Sequence, residues 1–254
     1  EGPTLTNFSF APDTLNLNQR NPITFYYEAF DTLSGMNGVS INVSGVGSVS
    51  YYYSGETHIS DSMGLSIGEF QQEGTYEINS IQLTDQLYNS RYYDIQDLID
   101  LGFQTEITVI NDNEDTEGPE LISFSFADTL NLNETDAITF HYEAIDTISG
   151  MDYIQINVSG LGSVSDYTLN GETVISDSLE LSIGEFEEEG TYQIYYVKLR
   201  DEADNDRYYY TSDLIALGFN TQFTIVNDNQ DIEGPELTSF SISPDTLNLN
   251  QRNP

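Results

Sequence analysis

Cysteine and tryptophan are absent from these 254 residues, lysine occurs once, at Lys198, and six basic residues stand against 43 acidic ones for a formal net charge of −37. Each absence excludes something. Without cysteine there are no disulfides and no thiolate metal sites, so stability must come from an apolar core, from hard-metal ligation, or from both. Without clustered Lys and Arg the chain cannot neutralise phosphates, which excludes nucleic acid and anionic lipid surfaces as partners. No run of eighteen apolar residues offers a membrane span, and the first residues lack a basic stretch followed by an apolar one, so neither membrane insertion nor a leader is expected within this segment. The acidity favours solubility in a salty extracellular milieu and attraction of cations.

What is present is repetition. EGPTLTNFSF begins at Glu1, EGPELISFSF at Glu117 and EGPELTSFSI at Glu233, a period of 116 residues. Between these marks the copies align nearly end to end: ITFYYEAFDTLSGM at Ile23 with ITFHYEAIDTISGM at Ile138, INVSGVGSVS at Ile41 with INVSGLGSVS at Ile156, LSIGEF at Leu65 and Leu181, and LGFQTEITVIND at Leu101 with LGFNTQFTIVND at Leu217. A period of this length marks an array of domains with their own cores, not a solenoid. Residues 1–116 and 117–232 form two repeats, and 233–254 open a third with its first strand or strands. PDTLNLNQRNP from Pro244 repeats residues 12–22 letter for letter, which suggests a window on a longer array.

Short segments rich in Ile, Val, Thr, Tyr and Phe alternate with period two between Gly, Asn, Asp and Ser clusters, as β-strands do. About seven antiparallel strands per repeat fit an all-β, immunoglobulin-like Greek-key sandwich without its disulfide. The expected strands in the first repeat are A at 5–10 with a continuation at 15–18, B at 22–30, C at 38–44, C′ or D near 48–54, E near 64–70, F at 75–84 and G at 104–110. A short helical turn is expected at Asp94–Leu101 and again at Ser212–Leu217.

In that topology strand G hands over to the end of the next domain where its entry, BC and FG loops lie. Three acidic segments fall at this handover. The linker NDNEDTEGPE offers Asn111, Asp112, Asn113, Asp115 and Glu117; the BC loop DTISGMD offers Asp146 and Asp152; the FG loop DEADND offers Asp201, Asp204, Asn205 and Asp206. Calcium takes about six to eight oxygen ligands, and without an ion so many carboxylates inside a Debye length of roughly 8 Å repel one another. The next junction, at Asn227, Asp228, Asn229, Asp231 and Glu233, should match, and Asp31 and Asp85 occupy the corresponding loops of the first repeat. Asn, Asp and Gly are also ordinary turn formers, which is the competing reading of each loop taken alone.

DTISG at Asp146 and the stretch from Val197 to Asp228 resemble the repeated immunoglobulin-like domains of giant secreted and cell-surface bacterial proteins, with their D-x-x-S-G and D-x-A-G-N-like loops. The linker V-I-N-D-N-x-D is similar to that of cadherins, whose calcium ions stiffen the joints between domains. The resemblance implies a ligand role for Asn111, Asp112, Asn113 and Asp115, and for Asn227, Asp228, Asn229 and Asp231. Asp204 stands where the family has glycine, and Tyr88 stands there in the first repeat.

Catalysis has little support. His58 aligns with Val174 and His141 with Tyr26, and no nucleophile elbow, phosphate loop or HExxH occurs, so no enzyme is expected. The tyrosine runs at 51–53, 92–93 and 208–210 suit sheet-face packing, a protein interface or a sugar-stacking platform; alternation along a strand turns at least one ring of each triplet inward or sideways. N-x-S/T triplets at Asn7, Asn42, Asn133 and Asn157 are incidental unless the host glycosylates.

The function expected is a non-catalytic, calcium-stiffened stalk or fibre on a bacterial surface or in its matrix, whose partners are neighbouring repeats and, in a fibre, identical chains. Two alternatives stay open: a self-assembling filament that exchanges strands through 233–254, and a carbohydrate-binding module attached to a secreted enzyme.

Overall fold

A computed structural model describes residues 2–19 and 22–243. The first repeat contains β1 (Thr4–Ala11), β2 (Thr14–Asn16), β3 (Ile23–Phe30), β4 (Met36–Val43), β5 (Gly47–Tyr52), β6 (His58–Leu65), β7 (Gly74–Asp85), β8 (Ser90–Asp94), the helix α1 (Ile95–Asp100) and β9 (Glu106–Ile110). The second repeats the series as β10 (Glu120–Ser125), β11 (Thr129–Asn131), β12 (Ala137–Ile145), β13 (Met151–Val158), β14 (Gly162–Asp166), β15 (Val174–Ser182), β16 (Gly190–Asp201), β17 (Asp206–Tyr210), α2 (Thr211–Ala216) and β18 (Gln222–Val226). No helix among the described residues is long and apolar enough to cross a membrane.

Each repeat is a two-sheet sandwich. One sheet runs β1-β3-β6, the other β2-β9-β7-β4-β5, and the second repeat has the same two orders. The chain therefore changes sheets just after its first strand, and β2 returns parallel to β9. The sequence dictates the layering: in β3 alternate residues Ile23, Phe25, Tyr27 and Ala29 are buried, and in β4 Met36, Ile41 and Val43 meet them from the opposite sheet. The second core is assembled the same way around Phe140, Phe124 and Phe223. Truncating such a fully buried Phe typically costs about 3–5 kcal/mol.

Two features depart from the strand assignments read from sequence. Strand E lies at His58–Leu65, ahead of the expected 64–70, because only Ile59, Met63 and Leu65 of that face reach the core, while Gly68–Phe70 turn away as a loop. The last strand is split: β8 pairs with the second half of β7 and β9 with the first half, with α1 between them. The helix sits where it does because Leu98 plugs the core and Asp94 caps it, its carboxylate accepting the Asp97 amide at 2.9 Å. In the second repeat Tyr210 holds the cap position and makes no side-chain cap bond, a loss worth about 0.5–2 kcal/mol.

Residues 232–243 follow the second sandwich without forming a strand, and Leu237, Phe240 and Ile242 lie exposed. Their counterparts in β1 and β10 pair with β3 and β12. The repeated PDTLNLNQRNP segment lies outside the described residues.

Candidate metal centre

The D-x-x-S-G loop is built by its aspartate. Asp146 Oδ1 accepts the amides of Ile148, Ser149 and Gly150 at 3.1, 3.0 and 2.8 Å, and Asp31 does the same for Leu33, Ser34 and Gly35. The glycine is required: at Gly150 φ is +81°, and a Cβ would stand 2.2 Å from the carbonyl oxygen of Gly171. The FG loop is made similarly. Asp201 Oδ1 accepts the amides of Ala203 and Asn205 at 2.9 and 2.8 Å, and its Oδ2 takes the Asn205 side-chain amide at 2.9 Å. Asp85 holds Leu87 and Asn89 in the same way. Asp204 and Tyr88 occupy the left-handed position of this turn, with φ of 65° and 62°, a conformation that glycine adopts without strain.

The two repeats differ in what joins those loops. Into the second comes Asp115 from the linker: its Oδ2 accepts the Ser149 amide at 3.0 Å and its backbone carbonyl accepts the Asn205 side-chain amide at 3.2 Å. One carboxylate oxygen each from Asp115, Asp146 and Asp201 then lie within 4.8 Å of one another, and all three residues are buried. None of the ion pairs among the described residues reaches them.

The electrostatic consequence shows in the carboxyls. Burial pushes Asp201 up from its ordinary value, and the charges of Asp115 and Asp146 push the same way against the Asn205 hydrogen bonds. In the first repeat the direction reverses. The Gly35 amide and its neighbours hold Asp31 below the usual range despite burial; at Asp85 burial works upward, but hydrogen bonds from Asn89 and Ser34 outweigh it.

The donor set suits a hard cation: three carboxylate oxygens brought together from three segments. Ser149 adds to this, because its hydroxyl oxygen is buried without a hydrogen-bond partner, whereas Ser34 Oγ in the first repeat donates to Asp31 at 3.3 Å.

The other residues expected from sequence take different places. Asn111 is buried, but its amide donates to the carbonyls of Glu69 and Gln71 at 2.9 and 2.7 Å, fastening the linker to the first sandwich. Asp115 continues the fastening through its amide, which donates to the Phe70 carbonyl at 3.1 Å. The end of the LSIGEF segment and Gln71 after it thus cradle the linker, a role its residue types did not signal. Asp112, Asn113, Glu117 and Asp204 are exposed, and Asn205 bridges Asp201 to the linker. Asp152 pairs with Arg200 at 2.7 Å and Asp206 with Lys198 at 2.9 Å, both away from the cluster. After the second repeat, Asn227 bonds the carbonyls of Glu185 and Glu187 as Asn111 does, and the Asp231 amide donates to Phe186 as Asp115 does to Phe70. Asp228, Asn229, Asp231 and Glu233 belong to that linker, which carries Asp231 where the first carries Asp115.

No family model and no curated protein matches the chain. Among solved structures it is similar to the fibronectin(III)-like modules of CbhA from Clostridium thermocellum, with 12% identity, 93% of this chain and 100% of that one covered, and a TM-score of 0.33. It is also similar to the D00-D0 domain of intimin (10% identity, 87% and 100% covered, TM-score 0.25) and to its D0-D1 domain (12% identity, 82% and 99%, TM-score 0.23). All three scores are low, and the sandwich assignment rests on the sheets themselves.

Proposed function

We propose that this chain is a non-catalytic segment of an extracellular bacterial repeat array whose junctions are stiffened by calcium. The observation that carries the reading is the meeting of Asp115, Asp146 and Asp201, one from the linker and one from each of two loops of the second sandwich, with their carboxylates buried together. Three like charges in so small a space are stable only if protons or a cation neutralise them. Asp115, Asp146 and Asp201 would hold the ion, which supplies the positive charge. The chain's own groups supply the mechanics: Asn111 and the Asp115 amide fix the linker to the first sandwich, while Asp115's carboxylate and carbonyl fix it to the second.

The linker at Asn227–Glu233 presents the same arrangement toward a following repeat, so each junction in a longer array would set its angle by the same contacts. The acidic surface suits an exported position, and the exposed His58 and His141 lie in different sandwiches.

Small-angle scattering of the chain with calcium and with chelator tests this. With calcium the two sandwiches should give a narrow distribution of interdomain distances and a raised melting temperature; with chelator the distribution should broaden. Superimposable curves and equal melting temperatures would remove the calcium joint.

A further inference from the structure

On the outer face of the second sandwich, tyrosines and two cations form one continuous strip. Tyr167 and Tyr153 pack at a tilt with centroids 4.4 Å apart, Lys198 lies 5.7 Å from the Tyr153 ring and 5.1 Å from the Tyr208 ring, and Tyr208 stands nearly parallel to Tyr210 at 5.9 Å. Tyr196 packs edge-on against Tyr208 and Tyr210, and Tyr195 against Tyr210. Tyr153 itself is buried, and the open part of the surface is made by Tyr167, Tyr195, Tyr208 and Tyr210, with Tyr195 54% exposed and Tyr210 46%.

The fold does not require these rings. The first repeat builds the same sheet with the same bulge, where Asn42 pairs with Ser80 and Val43 with Ile78, just as Asn157 pairs with Tyr196 and Val158 with Ile194. That bulge leaves two consecutive residues off the core face. In the first repeat they are Asn79 and Ser80; in the second they are Tyr195 and Tyr196. Gln82 and Thr84 stand where Lys198 and Arg200 do, and Gly38 where Tyr153 does. At Tyr210 the second repeat also gives up the helix cap that Asp94 provides in the first. The second repeat thus carries an aromatic surface where the first keeps its helix cap.

We propose that this strip binds an uncharged polysaccharide. Both of its cations are paired, Lys198 with Asp206 at 2.9 Å and Arg200 with Asp152 at 2.7 Å and Asp204 at 3.9 Å, so it offers no free positive charge, in a chain that carries a large negative excess. A polyanion is repelled by that field, a second copy brings the same excess, and a cationic partner meets stronger attraction elsewhere on the surface. A neutral sugar chain fits, because its C–H faces can lie on the rings while its hydroxyls meet phenol oxygens and Gln155, already in hydrogen bond with Tyr196 at 2.8 Å. This binding is independent of the calcium joint.

Affinity electrophoresis of the full chain in gels containing dextran, mixed-linkage β-glucan, xyloglucan or galactomannan, with alginate as the polyanionic comparison, tests the assignment. Retardation is expected in at least one neutral gel and not in alginate. Tyr210→Asp, which restores the cap, should raise the melting temperature yet weaken retention at least about threefold. Exchanging the strip for its first-repeat residues (Tyr195→Asn, Tyr196→Ser, Lys198→Gln, Arg200→Thr, Tyr210→Asp) should abolish retention in a protein that still melts cooperatively, while Tyr52→Ala leaves it unchanged. No retardation in any neutral gel, retention in alginate alone, or retention that survives the exchange would overturn the proposal. So would a concentration-dependent dimer, seen by sedimentation without retention and lost on the exchange, since the strip would then be a contact between copies.

Discussion

The carboxylate of Asp115 accepts the backbone amide of Ser149 at 3.0 Å, although the two residues belong to different segments of the array, the linker and the BC loop of the next sandwich. The same aspartate donates its own amide to Phe70 of the preceding sandwich at 3.1 Å. A single residue therefore touches both neighbours, and the linker is part of the structure on either side.

The buried Asn111 amide should be worth more to stability than a surface contact. Asn111→Ala leaves the Glu69 and Gln71 carbonyls without that donor and should cost about 1–3 kcal/mol in urea denaturation of the first sandwich. Asn227→Ala should do the same to the second, through Glu185 and Glu187. A change below a few tenths of a kcal/mol in both would mean the linkers are loosely attached.

Tyr27 and Tyr142 are equivalent residues with opposite prospects. The Tyr27 hydroxyl meets the Tyr53 hydroxyl at 2.6 Å, whereas the buried Tyr142 hydroxyl has no partner, because Thr168 stands where Tyr53 does. Tyr142→Phe should stabilise the second sandwich by up to about 1 kcal/mol, and Tyr27→Phe should destabilise the first by a similar amount. Equal effects of one sign in thermal melts would contradict this.

The left-handed turn residues Tyr88 and Asp204 carry backbone strain that glycine relieves. Tyr88→Gly should raise stability by about 0.5–1 kcal/mol, with a smaller gain for Asp204→Gly because Asp tolerates this region better. Destabilisation by Tyr88→Gly would show that its exposed ring contributes more than the strain costs.

Acid should affect the first sandwich in a defined window. Asp31 and Asp85 have carboxyls held below 3.8, so their contribution is complete above that pH and is lost as pH falls through their folded values. In calcium-free buffer the first sandwich's melting temperature should fall as pH drops below about 4, less steeply in Asp31→Asn. Asp201 runs the other way: raised above 3.8, it favours the folded state more as pH falls toward that value. A profile for Asp31→Asn identical to the unaltered chain would refute the assignment.

Much of this was legible in the sequence. The 116-residue period and the alternation in segments such as Ile23–Phe30 gave two sandwiches, and D-x-x-S-G encodes a loop that its own aspartate closes. The convergence of Asp115 with Asp146 and Asp201 followed from strand order. Strand E was misplaced because LSIGEF has the apolar content of a strand, while Gly68 and the carbonyls after it serve the linker. Asn111 read as a ligand because Asn offers an oxygen; its partners are carbonyls about forty residues earlier, and no residue type announces a carbonyl. The tyrosine strip was visible only as runs: the bulge that turns Tyr195 and Tyr196 to one face is a matter of register, and Tyr209, the middle ring of the triplet, turns back to bond the Leu121 amide at 3.0 Å.

Calorimetric titration of calcium into the chelator-treated chain, compared with Asp115→Asn, tests the joint most directly. Asp115→Asn keeps the side chain's size and one acceptor oxygen but removes the linker's charge from the cluster. The account predicts saturable calcium binding to the unaltered chain, weakened at least about tenfold in Asp115→Asn, with the calcium-induced rise in melting temperature lost in parallel. Absence of binding to the unaltered chain, or equal affinity in both proteins, would contradict it.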